Sequence, residues 1–398
     1  MNDLPRSLSG QLLEKSDDEG EQSARSTGVL PWQELHRMVH TKELQAREPI
    51  LEDQFQPASV DLRLGPIAYR VRASFLPGPN ATVHDKLRHL SMHEMDITQG
   101  GVLERGCVYI IPLLESVYLK SRTSAIGNPK SSTGRLDIFT RLITDNGTEF
   151  DRVREGYKGQ LYAEVSPRTF SVLVRKGSRL NQLRIRRGNP LSSDEKLRRL
   201  HKEHELVESM SEEDIKDGVL VRVDVQGEAT GGIIGYKARS HAGLIDVDRK
   251  QAYDASEFWE PIVAPTRGGL VLDPAEFYIL ASQRSVKVPS AYAAEMIAYD
   301  TLVGEFRVHY AGFFDPGFGD SDTGGAQSRA VLEVRSYEVP FVIEHGQVVG
   351  RLVYEPLTAI PTKLYGQGVG SSYQGQGIAL SKHFRMPHQT PLPCPQRE

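Results

Sequence analysis

One pattern occurs twice in this chain, about 170 residues apart, and any fold must accommodate both copies. Copy one runs from Cys107-Val-Tyr-Ile-Ile111 through Lys130-Ser-Ser-Thr-Gly-Arg135 to Leu161-Tyr-Ala-Glu-Val165 and Arg179-Leu-Asn-Gln-Leu-Arg-Ile185. Copy two runs from Glu276-Phe-Tyr-Ile-Leu280 through His309-Tyr-Ala-Gly-Phe-Phe-Asp-Pro-Gly-Phe318 to Val331-Leu-Glu-Val334 and Val348-Val-Gly-Arg-Leu-Val-Tyr354. The apolar skeleton and spacing agree, but the basic hydroxyl cluster is present only in the first copy and the Asp-Pro-Gly turn only in the second. Such complementarity predicts a site assembled from both copies.

A chain of 398 residues exceeds the usual span of one hydrophobic core, so two domains are expected. Short alternating runs punctuated by Gly, Pro, Asn and Ser, such as Ser59-Val-Asp-Leu-Arg-Leu64, read as strands in both copies. The fold class is therefore mainly β. Residues 1–28, poor in apolar side chains, read as a mobile tail, and 29–188 as the first β-domain, opened by a short helix with Leu35 and Met38 on one face. The charged, glycine-free stretch within 189–218 reads as a helical linker, and 219–398 as the second β-domain. Its closing tail, Tyr365 to Gly377, is rich in Gly, Gln and Ser and reads as flexible unless a ligand orders it.

With 25% charged residues and a net charge of -4, the chain has no overall attraction to nucleic acid, so any anion site must be local. No apolar run approaches the ~20 residues needed to span a bilayer, and the N-terminus lacks a basic-then-apolar signal. Two cysteines, Cys107 and Cys394, cannot make a disulfide framework or a cysteine zinc site, which fits a reducing cytoplasm.

Lys130-Ser-Ser-Thr-Gly-Arg135 packs two cations and three hydroxyls into six residues, a donor set suited to phosphate oxygens and equally compatible with a solvated turn. It is not a P-loop, because Pro129 stands where that motif needs Gly. Ala311 to Phe318 joins an Asp-Pro-Gly turn to three Phe, which can either wall a planar base or fill the core. His309 reads by itself as a structural histidine. Glu164 and Glu333 sit within apolar strands at equivalent places, each facing solvent or held in a pocket with a raised pKa, as an acid/base catalyst requires. The zinc-deaminase signature of His-x-Glu with Cys-x-x-Cys is absent, so hydrolysis here calls for a carboxylate-activated water and no zinc.

Gln56-Pro-Ala-Ser-Val-Asp-Leu-Arg-Leu-Gly65, the Lys130 to Arg135 hexamer, the Ala311 to Phe318 hairpin, Val331-Leu-Glu-Val334 and Tyr373-Gln-Gly-Gln376 together resemble the dCTP deaminase family. The resemblance spans roughly residues 30 to 380 and has the look of a duplicated, two-domain member. It implies two tandem dUTPase-like distorted β-barrels, and conversion of dCTP to dUTP and ammonia in pyrimidine deoxynucleotide synthesis. Magnesium would arrive with the triphosphate, and the assembly would be a homo-oligomer, with a trimer favoured. Carried residue by residue, it implies that Ser131 and Arg135 position the water and catalytic carboxylate, and that Lys130 and Ser132 bind phosphates. His309, Ala311 and Asp315 would lie along the base and deoxyribose, with Tyr365 and Gln376 in the tail that closes over the nucleotide. Glu333 is the first choice for the acid/base and Glu164 the alternate.

Departures from the family pattern bear on which sites survive. Copy two reads Tyr299, Asp300 and Val303 where copy one has Ser131, Ser132 and Arg135, copy one reads Asp145 to Asp151 in place of the hairpin, and Ser372 stands where relatives often carry Lys. Half of the ancestral sites should therefore be dead, with the rest formed between the two domains, within a chain or across a subunit boundary. A bifunctional deaminase and pyrophosphatase giving dUMP is one alternative, and a non-catalytic nucleotide sensor is another.

Overall fold

The computed structural model describes residues 25–227, 230–298, 306–309, 312–336, 338–369 and 373–386. It is mainly β, and the sequence repeat is a repeat of strand pairing. In the first half one sheet runs in the order Ser91–Asp96, Ile67–Val71, Val108–Tyr118, Lys158–Pro167, Ile138–Thr144. The second half repeats that order as Trp259–Val263, Ile233–Ala238, Phe277–Ser285, Arg329–Ser336, Phe306–His309. A second sheet pairs Val60–Leu62, Asn181–Arg187, Thr123–Pro129 and Arg152–Val153, matched by Val219–Arg222, Val348–Pro356, Tyr292–Ala298 and Phe313–Phe314.

Side-chain alternation explains how the halves meet. In Asn181–Arg187 the even and odd positions face opposite ways, so Leu183 and Ile185 enter the first apolar cluster while Arg184 and Arg186 turn toward the second half. Arg186 Nη2 donates to Glu295 at 3.0 Å and to Glu355 at 2.7 Å. Lower in the contact, Arg175 grips Asp246 with both terminal nitrogens, at 2.7 and 2.8 Å, and Arg335 pairs with Asp137. These contacts are bidentate or charge-assisted, and they fix the relative orientation of the halves more tightly than apolar packing alone.

Several expectations need correction. The halves are not sealed from each other: Tyr236, Trp259, Ile279, Val331 and Phe384 share one cluster with Leu142, Phe170 and Val172, while the second half keeps a further cluster of its own around Leu280 and Tyr354. Within the 189–218 segment the helix is Asp194–His204, and it buries Leu197 and Leu200 in the cluster of the second half, so packing makes it part of that half and not a free linker. Residues 25–28, assigned to the tail, are tied down: Gly28 pairs with Arg187, and the Arg25 N–H donates to the Thr358 carbonyl at 2.8 Å. Residues 1–24 lie outside the described part.

Gly28 sits where the N-terminal strand crosses onto the second half. A β-carbon there would stand 2.6 Å from Thr358 N and 2.7 Å from the Leu357 carbonyl carbon, backbone atoms that cannot swing aside as a flexible side chain would. Gly28→Ala is expected to cost about 1–3 kcal/mol through overpacking. Chemical denaturation would register this as a lower midpoint, and an unchanged midpoint would mean that the crossing strand is dispensable.

Candidate active site

The Thr123–Pro129 strand stops at Pro129, which has no N–H to extend the ladder, and the chain turns at once into the single helical turn Ser131–Gly134. The Lys130 carbonyl accepts from Thr133 N at 2.8 Å and Gly134 N at 3.0 Å, closing the turn. Lys130, Ser131, Ser132 and Arg135 are thereby aimed into a cavity of about 500 Å³ that both halves line. Opposite them the second half supplies Phe313, Phe314, Asp315, Phe318 and Glu333. The basic turn of one copy and the hairpin of the other thus line a common cavity.

Glu333 lies in the Arg329–Ser336 strand, in register with Ile279 on one side and His309 on the other. Burial pushes its carboxyl up to about 8, and the Arg135 guanidinium, its Nε 4.0 Å from Glu333 Oε1, offsets only part of that cost. Arg135 is held by Nη1 contacts to Gln376 Oε1 and the Ala379 carbonyl, each 3.0 Å, and by the Tyr373 ring 3.8 Å beneath it, while its buried Nε has no hydrogen-bond partner. The result is a titratable carboxyl poised near neutrality beside a fixed cation.

The hairpin builds the apolar wall. Gly317, at φ +92°, allows the tight turn, and the Phe318 N–H donates to the Asp315 carbonyl at 3.1 Å. Phe314 and Phe318 meet edge-to-face at 5.1 Å, with Tyr365 5.8 Å from Phe318. Phe313 and Phe318 are buried and also line the cavity, so the same rings pack into the core and face the cavity. Burial raises Asp315 to about 6, countered by Arg184, whose Nη2 lies 3.7 Å away.

The family model for the N-terminal domain of 2'-deoxycytidine 5'-triphosphate deaminase matches residues 26–189, and that for the C-terminal domain matches 193–384. The crystal structure of the 2'-deoxycytidine 5'-triphosphate deaminase from Agrobacterium tumefaciens aligns over 85% of this chain and 100% of its own, at 54% identity and a TM-score of 0.81. This chain belongs to the dCTP deaminase family. The family consists of hydrolytic deaminases. Two more distant relatives, each named "dCTP deaminase, dUMP-forming", are 28% identical over 123 residues in Methanobrevibacter smithii and 26% identical over 151 residues in Halobacterium salinarum. Those alignments take in 30% and 37% of this chain, and 59% and 72% of the respective relatives.

Against that family background, Glu164 separates from Glu333. Its register is the same, with Ile110 on one side and Arg141 on the other. Arg141, however, reaches Glu164 Oε1 with Nη2 at 2.6 Å and Nε at 3.0 Å, and lies 3.4 Å over the Phe150 ring. Glu164 does not line the cavity and is held in an ion pair with Arg141. The Asp145 to Asp151 segment packs onto the Val83–Leu90 helix, with Asp145 Oδ1 accepting from Val83 N at 2.8 Å, and bounds no part of this cavity. We expect Glu164→Gln to keep full turnover and to destabilise by about 3–5 kcal/mol by stranding Arg141. A loss of turnover in folded Glu164→Gln protein would return that residue to the mechanism.

Lys130, Ser131, Ser132, Arg135, Asp315, Glu333, Tyr365 and Gln376 all line the cavity. His309 is placed only by its backbone, across from Glu333, and Ala311, Tyr299, Asp300 and Val303 lie outside the described residues. The tail is not loose where it is described: Gln374 Nε2 donates to Thr323 Oγ1 at 2.8 Å, and Phe384–Arg385 pairs with Tyr253–Asp254. Sequence reasoning passed over Asp61, which pairs with Lys130, along with Arg179, Lys250, Lys363 and Lys382, because isolated charges carry no periodic signal. Of these only Asp61 had a flag, its position inside the apolar run Ser59 to Leu64.

Proposed function

We propose that the protein hydrolyses dCTP at C4, releasing ammonia and dUTP, with Glu333 as the acid/base. The observation that carries this reading is the buried Glu333 carboxyl, 4.0 Å from Arg135, in a cavity walled by Phe313, Phe314 and Phe318. As water attacks C4, the carboxylate takes its proton and passes it to ring N3. The C4–N4 bond then breaks while a second proton, from the new hydroxyl, returns through Glu333 to the departing ammonia. Glu333 ends as it began, so one group serves as base and acid, which a pKa close to the working pH permits. Arg135 holds the carboxylate in place, Ser131 orients the water, Asp315 receives the deoxyribose hydroxyl, and Lys130 with Ser132 meets the phosphates.

Magnesium would come with the triphosphate. Asp61 Oδ1, a buried carboxylate oxygen without a partner next to Lys130, is chemically suited to face a cation carried by the phosphates. The matching strand orders support reading each half as a dUTPase-like distorted barrel. A trimer remains the favoured assembly on family resemblance. Among the described residues no helix is long and apolar enough to cross a membrane.

The deciding experiment incubates purified protein with dCTP and magnesium and follows nucleotides by anion exchange alongside ammonia. dUTP with an equal amount of ammonia supports this proposal. dUMP with pyrophosphate would favour the bifunctional reading, which the names of the two archaeal relatives recommend. Saturable binding without turnover would leave a sensor. Because only the carboxylate accepts the water's proton, kcat/KM should climb as pH rises toward about 8, the value for Glu333.

A further inference from the structure

Cations crowd one region of the cavity wall. Lys130 and Arg179, from the first half, already have carboxylate partners in Asp61 and Asp53, the latter at 2.8 Å. Lys250 and Lys382, from the second half, line the same cavity and have no ion-pair partner among the described residues. Lys382 is half-buried, and burial together with the charges of Lys130, Lys250 and Arg179, only partly offset by Asp61, pushes its amine down to about 8. An arrangement of unpaired, partly desolvated cations is costly unless an anion completes it.

The position of Lys382 is also fixed to a degree that a solvated surface lysine does not need. Its N–H donates to Tyr373 Oη at 3.2 Å, and its carbonyl accepts from Gln251 N at 3.0 Å, on the loop that carries Lys250. Ser381 Oγ on one side donates to the Ser132 carbonyl at 2.9 Å, and His383 Nε2 on the other lies 2.8 Å from the Val247 carbonyl. The tail thus ties Lys382 both to the basic turn of the first half and to the Lys250 loop.

We propose that Lys250 and Lys382 bind the terminal phosphates of the nucleotide and make the site selective for triphosphates over shorter phosphate chains. The proposal rests on the reading of the cavity as a nucleotide site, and it adds the residues that measure the length of the phosphate chain. Lys382→Met and Lys250→Met are compared with the unaltered full chain by calorimetric binding of dCTP, dCDP and dCMP. Each variant should bind dCTP about 10- to 100-fold more weakly, the size of one lost charge-assisted contact, while dCMP binds as before. Lys382→Arg should retain most of the dCTP affinity.

Equal weakening for all three nucleotides, or none for any, overturns the assignment. Ammonia release by the unaltered protein is followed in parallel. Length-selective binding without ammonia would remove the deaminase reading and keep this one, whereas ammonia release with binding blind to phosphate length would do the reverse.

Discussion

Glu333→Gln protein is expected to bind dCTP with near-normal affinity and to release ammonia at least about 100-fold, and up to about 10,000-fold, more slowly, the range associated with removing a general acid/base. The amide is nearly isosteric, so the wall of Phe313, Phe314 and Phe318 stays in place. What is lost is the proton shuttle between water, N3 and the leaving ammonia. Ammonia assay and calorimetry on the same preparation separate these effects, and normal turnover in the variant would sink the mechanism. A stability signature accompanies the kinetic one. The Glu333 carboxyl moves from 4.5 in the unfolded chain to about 8 in the folded one, so the folded state holds its proton more tightly. Its burial therefore costs nothing below about 4.5 and becomes a growing penalty as pH rises through 8. Denaturation midpoints of wild type and Glu333→Gln should agree below about pH 4.5, draw apart as pH rises from 4.5 to about 8, and stay apart above it, with the variant more stable by a few kcal/mol.

Arg184→Met should cost about 3–5 kcal/mol of stability, because it removes one member of a buried ion pair and leaves the other. Arg184 is fully buried, donates to the Ala294 carbonyl at 2.9 Å and the Phe314 carbonyl at 3.2 Å, lies 3.9 Å over the Phe313 ring and faces Asp315. It is the clamp by which the first half holds the hairpin of the second. The cost has a pH dependence of known sign. Asp315 rises from 3.8 unfolded to about 6 folded with Arg184 present, and without that cation its folded value moves higher still. Near pH 4 the carboxyl is largely neutral and the variant loses mainly its hydrogen bonds, whereas at pH 8 it also carries an unpaired buried charge. Denaturation at the two pH values should show a wider gap at pH 8. A gap independent of pH would mean that Arg184 acts through packing alone. Weaker dCTP binding should follow in protein that still folds, since Phe313 and Asp315 both lose their support.

The repeat was legible because strand pairing preserves apolar spacing. Val108–Tyr118 and Phe277–Ser285, Lys158–Pro167 and Arg329–Ser336 occupy equivalent sheet positions, and Glu164 and Glu333 fall in the same register. Sequence could not tell the two glutamates apart, because the discriminating partners are distant in the chain: Arg141 is 23 residues from Glu164, and Arg135 is 198 residues from Glu333. The tail's contacts were illegible for a related reason. Gly, Gln and Ser have low propensity for regular structure, but Gln374, Gln376 and Ser381 find partners on segments that composition does not reveal.

By itself the sequence determined the mainly β class, the duplication, the dCTP deaminase kinship and the part of the cavity's polar set that lies in the hexamer, the hairpin, the Glu333 strand and the tail, since these depend on local periodicity and on short contiguous motifs. Only the tertiary structure decided that both halves line one cavity, that one apolar cluster runs across them, that Glu164 is paired with Arg141, that Arg184 clamps the hairpin, and that Lys382 lines the cavity. Those outcomes depend on which charges meet after folding, and burial sets the strength of such encounters by removing water from around them, a quantity that no single stretch of sequence contains.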